Sequence, residues 1–242
     1  MINSVEIPKV IHYCWFGGNP LPALAEKCIS SWKKYFPGYD IRRWDESNYD
    51  VDKIPYTREA YKAKKYAFVS DYARFDILHE YGGIYFDTDV EVIRPMDDII
   101  AAGPFMGCEN AYNPEVNPGL GLGVNPGQGP YAEILEMYKN LKFDPEHLTT
   151  VVTYVTAYLC TRGLKNIPGI QEIDGIKIYP KDYFCPIDYK TGQMEITGNT
   201  CSIHHFAESW HGSREKLYKT VKNLVGESCA QFISRIWKSM KR

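Results

Sequence analysis

Residues 70–89 read SDYARFDILHEYGGIYFDTD, and their reading decides the fold. The first part carries helical spacing, with Asp71 and Arg74 three apart and therefore neighbours on one helix face. Gly82-Gly83 stops that helix. Ile84 to Val92 then alternates as a strand, so Ile84 and Phe86 turn to one side while Tyr85, Asp87 and Asp89 share the other. Two carboxylates in that register repel unless a cation stands between them, and a hard divalent ion such as Mg²⁺ or Mn²⁺ suits them.

Working outward, Val10 to Phe16 is a β-branched and aromatic run closed by Gly17-Gly18, which predicts an early strand and turn. Ala23 to Tyr35 is expected to be helical, ending at Pro37-Gly38, and Tyr39 to Trp44 to be a second strand. Arg58 to Tyr81 is expected to be helical in two pieces, with Ser70 as N-cap of the second. Pro130–Leu141 and Thr149–Arg162 also read as helices. Short strands dominate from Pro168 to Phe206. The stretch 113–130, rich in Gly, Pro and Asn, is expected to be a long irregular loop of functional interest. Its Gly119, Gly121 and Gly123 miss the dinucleotide-binding pattern because Pro126 stands where the last Gly belongs. Strands alternating with helices predict an α/β domain over residues 1–212, with a mixed, mostly parallel sheet flanked by helices.

The chain has 242 residues, long enough for one such domain with a sizeable core. Its formal charge is -2, from 28 basic and 30 acidic residues, which points away from nucleic acid. Residues 213–242 differ in kind, with eight basic and two acidic residues, so the tail carries +6 and residues 1–212 carry -8. Cys229, Phe232, Ile233, Ile236, Trp237 and Met240 recur there at helical spacing opposite Arg235, Lys238, Lys241 and Arg242. That predicts a basic amphipathic helix, lying on an anionic membrane surface or docked on the domain or a second subunit. Seven cysteines at irregular spacings read as reduced thiols, and the N-terminus has no secretory pattern, so a cytoplasmic protein is expected, peripheral on the inner membrane face if the tail binds lipid. Nineteen tyrosines are unusual and suit either cores or surfaces that stack on sugar rings.

The string from Asp71 to Asp89 resembles the sugar-nucleotide-binding region of family 32 glycosyltransferases, which include fungal initiating mannosyltransferases and bacterial capsular and surface polysaccharide enzymes. It is also similar to the matching segment of the large glucosylating bacterial toxins. Two further blocks carry the resemblance in the same order, residues 7–18 (IPKVIHYCWFGG) and residues 204–210 (HHFAESW). The resemblance implies a GT-A fold and a metal-dependent transfer of a hexose from a nucleotide diphosphate, UDP foremost, to a sugar hydroxyl of a polysaccharide or lipid-linked glycan, with retention of configuration. It implies that Trp15 stacks on the base, with Tyr13 beside it. Asp71 and Arg74 would hold donor-sugar hydroxyls, Tyr85 and Asp87 would contact ribose or sugar, and Asp89 would be the direct metal ligand. His204 or His205 would complete the Mn²⁺ or Mg²⁺ site with Asp87 and Asp89. Ser209 and Trp210 would close over the phosphates. Neighbours on a strand face opposite ways, so only one of His204 and His205 can be a ligand, and His204 is favoured.

Other readings weigh the same residues differently. One has Asp87 and Asp89 merely solvating a strand end, with Asp71–Arg74 a surface ion pair of little worth. A non-catalytic sugar- or nucleotide-binding module needs Trp15 but not Asp89. A phosphohydrolase with an aspartyl nucleophile wants Asp-x-Asp-x-Thr, and here the fifth residue is Glu91.

Overall fold

The computed structural model describes residues 6–189 and 191–207. Strand β1 (Val10–Cys14) lies between β2 (Asp40–Trp44) and β3 (Gly83–Tyr85) and is parallel to both. Beyond β3 come β6 (Leu122–Val124), β5 (Phe105–Gly107), β8 (Ile176–Tyr179) and β7 (Gln171–Ile173), completing a seven-stranded sheet in the order β2-β1-β3-β6-β5-β8-β7. The pairings make β1, β2, β3, β5 and β8 run one way and β6 and β7 the other. The expected α/β architecture with a mixed, mostly parallel sheet is therefore present. A separate ribbon pairs β4 (Val90–Val92) antiparallel with β9 (Ser202–His204).

Helix α1 (Ala23–Tyr35) follows its prediction to the residue. Ala25, Cys28, Ile29 and Trp32 form its buried stripe, Glu26 sits in the first turn and Lys33 and Lys34 in the last, each favourably placed in the helix dipole. Its Trp32 joins Ile11, Tyr13, Ile84 and Phe86 in the core on one side of the sheet. On the other side, α3 (Tyr66–Tyr81) packs between the sheet, α2 (Pro55–Lys62) and α5 (Gly129–Asn140). Burial on nearly all its faces explains why its sequence has no clean polar side. It ends at Gly82, φ +62°, and a Cβ at Gly83 would stand 2.6 Å from Val10 Cγ1, so the tight crossing into β3 needs glycine at both places.

Three expectations change. The break between α2 and α3 falls at Ala63–Lys65, with Lys64 at φ +57°, so Ser70 is no N-cap; it lies inside α3, where its Oγ donates to the Tyr66 carbonyl. The strand expected over 84–92 is two strands in different sheets, split by a turn at Thr88-Asp89. The loop expected over 113–130 contains β6 and is buried from Val116 to Val124. Its glycines are there for contact: a Cβ at Gly123 would lie 2.0 Å from the Phe105 ring, and one at Gly121 would lie 2.9 Å from Phe86. Helices α4 (Asp97–Ala101), α6 (Val151–Thr161) and α7 (Lys181–Phe184) complete the elements. The six cysteines among the described residues are all free thiols. The predicted tail helix over 213–242 lies outside the described residues. Among the described residues, no helix is long and apolar enough to cross a membrane.

Candidate active site

The parallel strands deliver their carboxyl ends to one edge, where open α/β sheets hold ligands. Asp87 follows β3 at this edge. Its Oδ1 accepts from Arg74 (3.0 Å) and from the Tyr85 hydroxyl (2.9 Å). Arg74 also meets Asp71 Oδ1 at 3.1 Å, and its guanidinium lies 5.0 Å from the Tyr85 ring centre. Only 3% of the Arg74 side chain and 9% of Asp71 are exposed, so this is a buried network and no surface pair. Burying such charges is costly unless each is paired, and here the helix spacing and the β3 end supply the partners.

Electrostatics follow from that packing. Burial pushes the Asp71 carboxyl up to about 7, against the pull of Arg74 and a hydrogen bond from the Val151 backbone at the start of α6. Burial works against the Arg74 cation, but the charges of Asp87, Tyr85 and Asp71 outweigh it and hold the guanidinium firmly protonated. Burial and the adjacent Asp87 keep the Tyr85 hydroxyl protonated, hence a donor.

Asp89 is two residues on, in the turn leading to β4. Across the ribbon His204 sits opposite Val90, and its Nε2 lies 3.4 Å from Asp89 Oδ1. Ligand atoms of Asp87, Asp89 and His204 all fall within 4.8 Å of one another. The next residue, His205, points away: its Nε2 is 2.8 Å from Glu91, which also binds Lys27 at 2.7 Å. The opposite facing expected of neighbouring histidines is thus present, and His204 is the one beside Asp89. Burial disfavours the His204 imidazolium, yet the Asp89 carboxylate outweighs it and raises the pKa well above the ordinary histidine value. The carboxylates demand positive charge at this point whichever species supplies it.

The remaining expected site residues separate. Trp15 is partly buried just past β1, its indole donating to the Asn19 carbonyl at 2.7 Å, which holds the ring over the turn. Tyr13 is a correction: alternation along β1 sends it to the α1 side, where it packs edge-on against Trp32 at 5.7 Å in the core. It shares no face with Tyr85. Ser209 and Trp210 lie outside the described residues.

Two side chains at this edge escaped the sequence reading. Asn117 Nδ2 donates to Glu109 at 2.6 Å, and its Oδ1 accepts the Gly119 N–H at 2.7 Å. The Gly119 carbonyl in turn accepts the Asp87 N–H, and a Cβ on Gly119 would stand 2.0 Å from Asp87 Oδ2. Burial raises the Glu109 carboxyl despite the Asn117 bond. Asn117-Pro118-Gly119 carries turn composition, which concealed Asn117, and Glu109 belongs to no periodic pattern; the glycine run was the available signal, since repeated Gly in a strand marks close backbone approach.

Known proteins share parts of this sequence and fold. Residues 22–106 match the glycosyltransferase sugar-binding region containing the DXD motif. The chain is 28% identical to inositol phosphoceramide mannosyltransferase 1 of Schizosaccharomyces pombe, over 42% of this chain and 34% of that one. It is 25% identical to the uncharacterized glycosyltransferase L373 of Acanthamoeba polyphaga mimivirus, over 88% of this chain and 87% of the viral one. The chain therefore spans about a third of the fungal relative's length and most of the viral one's. Among solved structures, a glycosyltransferase involved in glycosylation of the major capsid of PBCV-1 superposes with a TM-score of 0.48 at 13% identity, covering 84% of this chain and 95% of that chain. The resemblance to DXD glycosyltransferases read from the sequence is thus present along the region holding Asp71, Arg74, Asp87 and Asp89.

Proposed function

We propose that this chain, which carries the sugar-binding region of the DXD glycosyltransferases, moves a hexose from a nucleotide diphosphate sugar, UDP foremost, to a hydroxyl of a glycan acceptor. The observation that supports the reading best is the convergence of Asp87, Asp89 and His204 within 4.8 Å at the carboxyl edge of the sheet. Two carboxylates and one imidazole suit a divalent ion of the Mn²⁺ or Mg²⁺ kind. Ligands around such an ion, at about 2.1 Å each, stand roughly 3 Å apart, close to the spacing of Asp89 and His204. When bound, the ion supplies positive charge to a diphosphate leaving group as the glycosidic bond breaks.

The protein's own residues do the rest by orientation. Asp89 and His204 would hold the ion from the ribbon. Arg74 and Tyr85 hold Asp87 by one oxygen, fixing how its carboxylate faces the donor. Asp71, behind Arg74, keeps that cation in place and offers its small exposed edge toward the sugar. Trp15 provides a flat surface for the base at little entropic cost. Retention of configuration follows the family resemblance, with the donor phosphate taking the acceptor proton.

The test is a donor screen. UDP and GDP sugars are incubated with the protein with and without Mn²⁺, and release of the nucleoside diphosphate is measured. Hydrolysis of at least one donor, dependent on metal and lost in Asp89→Ala, is expected. Indifference to every donor and to metal defeats the proposal. Proton NMR of the first-formed sugar reads the anomer and tests retention.

A further inference from the structure

A concavity opens at the same edge of the sheet, over the ends of β5 and β8. It is a cleft of about 780 Å³, within the range of ligand pockets, and Asp87, Asp89 and His204 do not line it. Its walls come from the segment after β5, the segment after α6 and the segment after β8. Asn110, Tyr112, Asn166, Gln171 and Gln193 supply amides and one aromatic ring.

Tyr112 stands out. Its ring is 81% exposed, which is unusual for a large aromatic side chain. Its backbone, by contrast, is tied at both polar atoms: the N–H donates to Asn110 Oδ1 at 2.9 Å, and the carbonyl accepts from Asn166 Nδ2 at 2.8 Å. Asn110 is itself held by Glu115 at 3.0 Å. Gln171 closes the neighbouring segment by bonding both the N–H and the carbonyl of Lys165. The anchored backbone fixes where the ring emerges, and the exposed ring offers a flat apolar face to a ligand.

The charges of the cleft name the kind of ligand. Lys165 and Lys181 line it together with Asp182, Asp188 and Glu195, two positive and three negative groups among the described lining residues. Most are engaged within the protein: Lys181 with the Ile187 carbonyl, Asp182 with Asn199, and Asp188 with Thr191. Among the described lining residues, two lysines against three carboxylates do not form the cationic cluster a phosphate needs. An exposed aromatic face beside amides that keep part of their hydrogen-bonding capacity after these internal bonds suits an uncharged, hydroxyl-rich ring. A bonded path also joins this wall to the cation cluster. Glu109 lies between the cleft-lining Cys108 and Asn110, and it continues through Asn117 and Gly119 to Asp87.

We propose that this cleft binds the acceptor as a neutral pyranose chain, with Tyr112 as its stacking surface. The role as acceptor site rests on the glycosyltransferase reading; the binding itself does not. The probes are methyl glycosides of glucose, galactose, mannose and N-acetylglucosamine, together with maltotriose. Saturation-transfer NMR reads their binding to the full chain without donor. At least one is expected to bind, to weaken about tenfold in Tyr112→Ala, and to bind normally to Tyr112→Phe and to Asp89→Ala. Because Tyr112 is exposed, the substitutions leave the core alone, and circular dichroism checks this. Binding by no probe, binding indifferent to Tyr112→Ala, or binding abolished by Asp89→Ala each overturns the proposal. Failure of the donor screen, with this binding intact, counts against the glycosyltransferase reading alone.

Discussion

The two halves of the sheet's carboxyl edge hold their polar groups in opposite ways. Around Asp87 the polar groups are buried, charged and paired to one another through Arg74, Tyr85 and Asp71. Around the cleft they are exposed, mostly neutral, and bonded to backbone. Buried charge in a low-dielectric setting fixes geometry sharply and tolerates little change. Exposed amides and a lone aromatic adapt at small cost. The difference matches a division of labour in which one half fixes a charged group that does not vary and the other meets a neutral partner with many possible shapes.

Substitutions sharpen or break this contrast. Asp89→Ala carries the largest expected effect, a loss of about 10²- to 10³-fold in metal-dependent donor hydrolysis with little change in melting temperature. Hydrolysis retained in that variant removes the distinction between the halves. Gly119→Ala comes next. Its new Cβ meets Asp87 Oδ2, and Mn²⁺ affinity by calorimetry is expected to fall about 10- to 100-fold, as it does when groups supporting a ligand are disturbed.

Asp71→Asn tests the buried side through pH. The carboxyl is held near 7 in the folded chain and titrates near 3.9 when unfolded. The folded state thus binds the extra proton between those values. Its stabilising effect is complete below about pH 4 and is lost as pH rises through 7, by an amount on the order of a few kcal/mol. Urea midpoints at pH 5 and pH 8 are expected to differ more in wild type than in Asp71→Asn; equal differences contradict the burial argument. His205→Ala is the mildest case. His205 faces Glu91, which keeps Lys27, so donor hydrolysis is expected to stay within about threefold and stability within about 1 kcal/mol.

Much of the buried half was legible in the sequence because local rules govern it. Helix spacing put Asp71 beside Arg74, the double glycine ended α3, and strand alternation set Ile84 and Phe86 against Tyr85 and Asp87. Asp89 was grouped with Asp87 for the wrong reason: a turn, not alternation, brings it there. Tyr13 was misplaced because the resemblance named a segment, while only the α1 packing decides its face. The glycines of β6 looked like slack. Their real constraint is the distance to Asp87, Phe86 and Phe105, which are remote in sequence and leave no periodic trace. The Tyr112 platform was hidden for a similar reason, since Asn166 reaches it from 54 residues away.

The split of residues 84–92 between two sheets has a mechanical consequence. Asp87 closes the large sheet, whereas Asp89 and His204 stand at the end of the β4–β9 ribbon. Two strands alone are marginal, and this pair leans on α1 through the Trp32 indole and Ser31. An ion held by Asp87, Asp89 and His204 would tie the large sheet to this ribbon. Metal binding at this cluster is therefore expected to slow amide exchange along residues 90–92 and 202–204, and exchange unchanged by Mn²⁺ would count against a link between the two sheets.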